Sequence, residues 1–514
     1  MITSRSRALV IACLFVSGAA RAQATATPPP ATAQPESIPR ALATKKPLVA
    51  TSRHSAEIGG KKVDYTAIVE EHVLNGPDGV PNASLVTIAY VRDGVAQRSR
   101  RPVSFVFNGG PGASSSPLHF NGIGPRVGGQ GGANNSNPHS LLDVTDLVFI
   151  DPIGTGFSRP YTREAGIKYY WHQAGDAASV REVIGRWLKA RNREQSPRYL
   201  IGESYGTSRI GTLLANHPDM KWDGIVMVSG VAANAGVPNM NFLRGLPSMA
   251  VTAWHHDKIP RNGRSVDQVW DEAVKFTRDV YAPALAKGDS LTAEETTALA
   301  GQLASFTGLP IAFIVEKNLR LSPNDFLLTL LKDQNLRISN QDTRRTGPLV
   351  LTAEEAARQS PAEGLGGTAI GTAMQAPALV PGSPDAETNA DTTKRNLSAL
   401  ERYLRKDLGF KTPETYRSLN LDINAFFRTN GNTLNMQPAP QVAERMKTDP
   451  RMRMFWIQGY YDLNTPAYSV VYSYDAAGIP KDRMTGMMAP GPHTVFGPED
   501  SKQALSTALR AWIR

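Results

Sequence analysis

Cysteine is almost absent from the 514 residues: the one cysteine is Cys13. It sits in a stretch with the marks of an export signal, namely a basic start (Arg5, Arg7), an apolar run over 8–16, and Ala20-Arg21-Ala22 as a small-residue cleavage site. Residues 1–22 are therefore expected to be removed as a signal peptide, leaving a secreted or periplasmic chain with neither a disulfide framework nor a thiol nucleophile. No later apolar run approaches the ~20 residues of a membrane helix, so no membrane span is expected. A one-sided charge is lacking too. The 56 basic and 46 acidic residues leave +10, and the basic ones are scattered rather than gathered in a stripe, which argues against a nucleic-acid partner. With 41% hydrophobic and 20% charged residues, the composition excludes a disordered or fibrous chain.

What is present divides the chain. Residues 23–55 are rich in Ala, Thr and Pro and read as a linker. Short β-rich runs at 62–69, 84–91 and 103–107, separated by Asn75-Gly76-Pro77 and Asp93-Gly94, predict an opening antiparallel meander. Apolar runs at 103–107, 147–150, 199–201, 225–228, 454–457 and, more weakly, 483–488 then alternate with helical periods, the pattern of buried parallel strands with crossover helices. Val180, Val183, Ile184, Trp187 and Leu188 mark one such helix, and Leu505, Leu509, Trp512 and Ile513 another. Residues 241–445 interrupt this alternation with mainly helical material and a flexible loop near 359–391, so 56–240 and 446–514 are expected to form the two parts of one α/β core.

Gly202-Glu203-Ser204-Tyr205-Gly206 follows a strand and precedes a helix, the setting in which glycines allow a sharp turn that lifts a serine oxygen clear of the sheet. Taken alone the motif is also an ordinary glycine-rich turn. A serine needs a base and an acid further along the chain. Of nine histidines only His493, in Ala489-Pro490-Gly491-Pro492-His493, lies beyond the last core strands, and Asp462 stands just past the 454–457 strand. Both fall at C-terminal strand ends, where an open sheet assembles its site. The oxyanion formed on attack needs two N–H donors. Tyr205 supplies one, and Gly110 of Asn108-Gly109-Gly110-Pro111-Gly112 is placed to supply the other.

Asn108-Gly-Gly-Pro-Gly112, Asp151-Pro-Ile-Gly-Thr-Gly-Phe-Ser158, Gly202-Glu-Ser-Tyr-Gly206, Asp462 and His493, in that order, resemble the serine carboxypeptidase family, in what looks like a bacterial exported branch. The resemblance spans about 60–240 and 450–514. It implies an α/β-hydrolase fold, with a mostly parallel central sheet flanked by helices and a mainly helical cap insertion. It also implies a Ser204, Asp462 and His493 triad, with Gly110 and Tyr205 as oxyanion donors. Asn108 and Glu203 match the family's residues for the terminal carboxylate of a peptide substrate, and no metal or cofactor is implied. A glutamate bonds a carboxylate only when protonated, so binding is expected to favour acid pH, while the histidine must stay neutral to act as base.

Two departures stand out. Gly122 occupies the place of the family's usual second carboxylate in Asn121-Gly122-Ile123-Gly124-Pro125, and Ala113 replaces a cysteine after the glycine loop. An esterase, acyltransferase or aminopeptidase-like hydrolase would use the same triad. A non-catalytic binding protein on this fold would be expected to have a broken one. His255-His256 hints at metal, but adjacent helical residues point in different directions. Trp254, Phe313 and Phe326 fit either an acyl pocket or, more simply, core packing.

Overall fold

A computed structural model describes residues 46–128, 134–232, 236–349, 399–427 and 436–513. The expected signal peptide, most of the expected linker and the loop expected near 359–391 lie outside the described residues. The described residues belong to one compact unit.

Nine strands make the main path of a ten-stranded sheet: β1 (Val49–Ile58), β2 (Lys61–Asn75), β3 (Pro81–Arg92), β4 (Val103–Phe107), β5 (Asp146–Asp151), β6 (Arg198–Glu203), β7 (Gly224–Val228), β8 (Arg453–Gly459) and β9 (Met484–Ala489). Their spatial order is β1-β2-β3-β5-β4-β6-β7-β8-β9, with a two-residue strand at Arg159–Pro160 beside β3. The pairs β1–β2, β2–β3 and β3–β5 are antiparallel. From β5 to β9 every pairing is parallel.

The helices cover both faces, as a parallel sheet requires. Along β4, Val103, Phe105 and Phe107 point into one core and Val106 into the other. The first core is closed by α1 (Gln173–Ala190), α2 (Tyr205–Asn216), α6 (Ala439–Thr448) and α7 (Ala467–Ala476). The second is closed by α8 (Glu499–Ile513), whose Leu505, Leu509, Trp512 and Ile513 face the sheet as their spacing predicts. Between α2 and α6 come α3 (Leu246–His255), α4 (Val266–Phe276) and α5 (Ala293–Thr307), which build a separate cap core running from Met240 to Ile338.

One pairing and two boundaries differ from the sequence reading. The run 103–107, expected to close the opening antiparallel meander, is β4, which lies between β5 and β6 and pairs with both in parallel, while β3 pairs with β5 instead. Strand β1 begins at Val49, inside the stretch assigned to the linker, and pairs over its whole length with β2. Its side chains are mostly half-buried or exposed until Ala56 and Ile58, so the polar composition conceals a ladder strand. The insertion, assigned to 241–445, packs as a cap only as far as the hairpin that ends at Pro348, among the described residues. Leu400, Tyr403, Leu404, Phe410 and Tyr416 join one sheet core, and Ile423, Phe427 and Val442 the other.

Trp187 is completely buried and meets Phe105 edge-on, 5.8 Å between ring centres, so it ties α1 to the strand that leads into the glycine loop. Trp187→Ala should cost about 3–5 kcal/mol of stability, measurable by urea unfolding.

Candidate active site

The site begins with strand register. Phe107 pairs with Gly202 across the parallel β4–β6 ladder, so Asn108 and Glu203 leave the sheet side by side. The chain turns in opposite directions from β4, first to β5 and later back to β6, and the crevice at such a reversal is where open sheets bind ligands. Ser204, the next residue, has φ 58° and ψ −126°, a left-handed conformation with a local cost of about 1–3 kcal/mol. Its N–H is held by the Val228 carbonyl at the end of β7, at 2.9 Å. Gly202 is required here, because a Cβ on it would lie 2.7 Å from the Gly206 oxygen. Helix α2 starts at Tyr205, whose N–H, in the first turn, has no intrahelical acceptor.

The glycine loop comes up against this turn. A Cβ on Gly109 would lie 2.4 Å from the Tyr205 nitrogen, which explains the glycine and brings Gly110 beside the elbow. A buried ion pair fixes the approach. Arg209, one turn into α2, bonds Asp176 at 2.8 Å and donates to the Asn108 carbonyl at 2.7 Å, while the Tyr205 hydroxyl donates to Asp176 at 2.9 Å. The guanidinium lies over the rings of Phe107 and Tyr205. Neither Asp176 nor Arg209 belongs to a recognisable motif. Asp176 lies in the first turn of α1, and its partner is 33 residues away along the chain.

Asp462 and His493 are brought together by the loops after β8 and β9. His493 Nδ1–H donates to Asp462 Oδ2 at 2.8 Å, which leaves Nε2 as the basic nitrogen. Asp462 is fully buried, and its carboxylate accepts the Asn464 and Thr465 N–H groups at 2.8 and 2.9 Å and the Thr465 hydroxyl at 2.7 Å. Thr465 and Ser229, whose hydroxyl bonds the His493 carbonyl at 2.5 Å, are supporting residues that motif reading missed. Thr465 had a signal in the sequence, since a Thr three residues after an Asp closes a local turn. Burial favours the neutral imidazole, but the charge and hydrogen bond of Asp462, with Glu203 adding to them, raise the His493 pKa above its ordinary value.

Glu203 is buried as well. Asn108 Nδ2 donates to its Oε1 at 2.7 Å, and Oε2 has no hydrogen-bond partner among the described residues. Burial pushes its pKa up to about 7, and Asp462 adds to the rise against the opposing pull of His493 and the Asn108 hydrogen bond. Gly122 lies buried in the turn Pro117–Ile123, where a Cβ would be 3.5 Å from that of Phe496. Glu203 therefore has no side chain from that position beside it.

Other sequence candidates fall outside the site. Phe326 is buried in the cap core, with Trp254 and Phe313 packed partly buried against it. His256 bonds the Thr343 carbonyl, and His255 faces Tyr461. No cluster of three or more metal-ligating side chains occurs among the described residues.

The strand order, the elbow and the loops that carry Asp462 and His493 define an α/β-hydrolase fold. A prohormone-processing carboxypeptidase of Saccharomyces cerevisiae shares it, with a TM-score of 0.51 at 13% identity over 87% of this chain and 90% of that one. Within that class, residues 90–256 match the serine carboxypeptidase family. Serine carboxypeptidase-like 36 of Arabidopsis thaliana is 34% identical over 111 residues, which are 20% of this chain and 22% of that protein.

Removing Asp176 alone would leave the Arg209 charge buried without its partner. Asp176→Ala should lose about 3–5 kcal/mol in urea unfolding, and pairing it with Arg209→Met should recover much of that.

Proposed function

We propose that the protein is a serine carboxypeptidase that hydrolyses the C-terminal peptide bond of peptides through an acyl-enzyme on Ser204. Ser204 Oγ attacks the last peptide carbonyl as His493 Nε2 takes its proton, and Asp462 holds the imidazole in the required tautomer. The N–H groups of Gly110 and Tyr205 receive the oxyanion. Protonated His493 then gives its proton to the leaving amino acid, and water, activated by the same nitrogen, resolves the acyl-enzyme. No metal or cofactor has a part in these steps. Among the described residues, no helix is long and apolar enough to cross a membrane. The basic start, apolar run and Ala20-Arg21-Ala22 support export of the chain.

The observation that carries the peptide reading is the Asn108–Glu203 pair beside the nucleophile. A glutamate with a pKa of about 7 is a neutral donor over the acid half of the physiological range, and with the Asn108 amide it suits a terminal carboxylate. An esterase or acyltransferase has no use for such a pair. The sign of the pH dependence follows. Carboxylate binding is present below about pH 7 and lost as Glu203 ionises, whereas the base works only once His493 has lost its proton. A free-acid peptide should therefore show a narrow bell near neutrality, and an ester only the rising acid limb.

The test is release of the C-terminal residue from a blocked dipeptide, beside its amide and a simple ester, from pH 4 to 8. Free-acid cleavage should prevail over amide cleavage and vanish in Ser204→Ala. In Glu203→Gln it should lose its alkaline fall. Serine-dependent cleavage of the ester alone, indifferent to a free carboxylate, would replace this reading with an esterase or acyltransferase.

A further inference from the structure

We propose that the tip of the cap hairpin, residues 339–345, sets the geometry of the Asp462–His493 pair, with Arg344 as its positioning residue. The proposal rests on the serine-hydrolase part of the reading above and not on its carboxypeptidase part. The hairpin is formed by Leu336–Ile338 and Thr346–Pro348, in the cap insertion and far in sequence from both catalytic loops.

Its tip is bonded to both of those loops. The Asn340 carbonyl accepts the N–H groups of Leu463 and Asn464, each at 3.0 Å, and the next carbonyl, that of Gln341, accepts the N–H of His493 at 2.7 Å. Thr343 N–H donates to the Tyr461 carbonyl at 3.0 Å. The residues on both sides of Asp462, and His493 itself, are thus held by one short turn. Along the chain Asp462 and His493 are 31 residues apart, with α7 and β9 between them. Through the hairpin they are linked by two consecutive residues, whose Cα atoms are fixed about 3.8 Å apart.

Arg344 closes the arrangement with a side chain that reaches both loops. Its guanidinium bonds Asp342 in a fork at 2.8 and 2.9 Å, lies 4.8 Å over the Tyr461 ring in the aspartate loop, and donates to the Pro490 carbonyl in the histidine loop at 3.3 Å. From the other side the Thr252 hydroxyl donates to that of Thr343 at 2.6 Å, and the His256 ring bonds the Thr343 carbonyl at 2.8 Å, which anchors the tip on α3. Lysine would keep the charge but neither the fork nor the stack.

Because the proposal concerns the serine, histidine and aspartate only, its test uses a fluorophosphonate that labels an activated serine, together with kcat and KM for a simple ester between pH 5 and 9. Arg344→Ala should slow labelling and lower kcat by about 10- to 100-fold, with KM within about twofold of wild type. The acidic groups facing the His493 ring are Asp462 and Glu203, and Asp462 raises its proton affinity. A loosened Asp462 should therefore move the acid limb to lower pH, which a general loss of stability would not do. Arg344→Lys should restore part of the rate. Lys258→Ala, which breaks a cap ion pair with Asp333 away from the hairpin tip, should behave as wild type. If Arg344→Ala does not fold, Arg344→Gln carries the same expectation. Wild-type labelling with an unmoved acid limb in the folded Arg344 variant would overturn the proposal, as would an equal loss in Lys258→Ala. A wild-type chain that is not labelled at all would overturn the serine-hydrolase reading and this proposal with it.

Discussion

Gly109 packs so closely on the turn after β6 that a side chain there would collide with the Tyr205 nitrogen, and the geometry of the crevice follows from that approach. The parallel register of Phe107 with Gly202 sends two loops out of the sheet at the same level. One must bend sharply to expose Ser204, and the other must lie against it closely enough to present Gly110. Both demands fall on backbone that is buried, so its polar groups need partners. Arg209 supplies one by bonding the Asn108 carbonyl, and Asp176 and two aromatic rings hold Arg209 in turn. A buried arginine that bridges a helix and a loop is a costly device unless its bonds are complete. Here they tie the glycine loop to the helix that starts at the elbow.

The same crevice collects three ionisable groups out of water, with the imidazole of His493 electrostatically coupled to the carboxyls of both Asp462 and Glu203. The environments of the two carboxyls separate their roles. Asp462 accepts two backbone N–H groups, a hydroxyl and the imidazole, so both its oxygens are engaged in orienting the ring. Glu203 has one amide hydrogen bond and an unpartnered oxygen, so desolvation dominates and the proton is retained to higher pH. In the productive arrangement the proton lies on Glu203 and the imidazole is neutral. The opposite placement, an ionised Glu203 beside an imidazolium, has the same net charge but neither a carboxylate donor nor a base. On the proposed mechanism, competition between these two forms keeps the working range narrow.

How much of this is legible in the sequence depends on how local each cause is. The elbow, the glycine loop and the short apolar strands are specified within a few residues, and the elbow and crossover helices lie where those patterns place them, whereas the pairing of 103–107 with β5 and β6 rather than with β3 is not local. Strand β1 is not legible in that way. Val49–Ile58 is largely polar until its last residues, and only the partner β2 makes it a strand. Nor is the end of the cap. Residues 399–427 continue its composition, yet Tyr403 stacks on Phe120 and Phe427 meets Tyr205, contacts set by where the chain returns rather than by what it contains. The Arg209–Asp176 clasp and the Ser229 bond to His493 escape sequence reading for the same reason. Each joins residues that no spacing rule relates.

The hairpin 336–348 carries this argument furthest, because it is the longest-range of these causes and it bears on the smallest tolerance. A hydrogen bond of 2.8 Å between Asp462 and His493 weakens over a few tenths of an ångström, and the two loops that carry them leave different strands of the sheet. Parallel strands fix where the loops start but not how their tips meet. That last adjustment falls to the carbonyls of Asn340 and Gln341, which belong to the insertion. On the proposal the insertion contributes to the site directly, because its hairpin bonds the loops of both the acid and the base. On the proposal the cap is in consequence constrained at 339–345 by the chemistry below it, while the helices further out pack only on their own core.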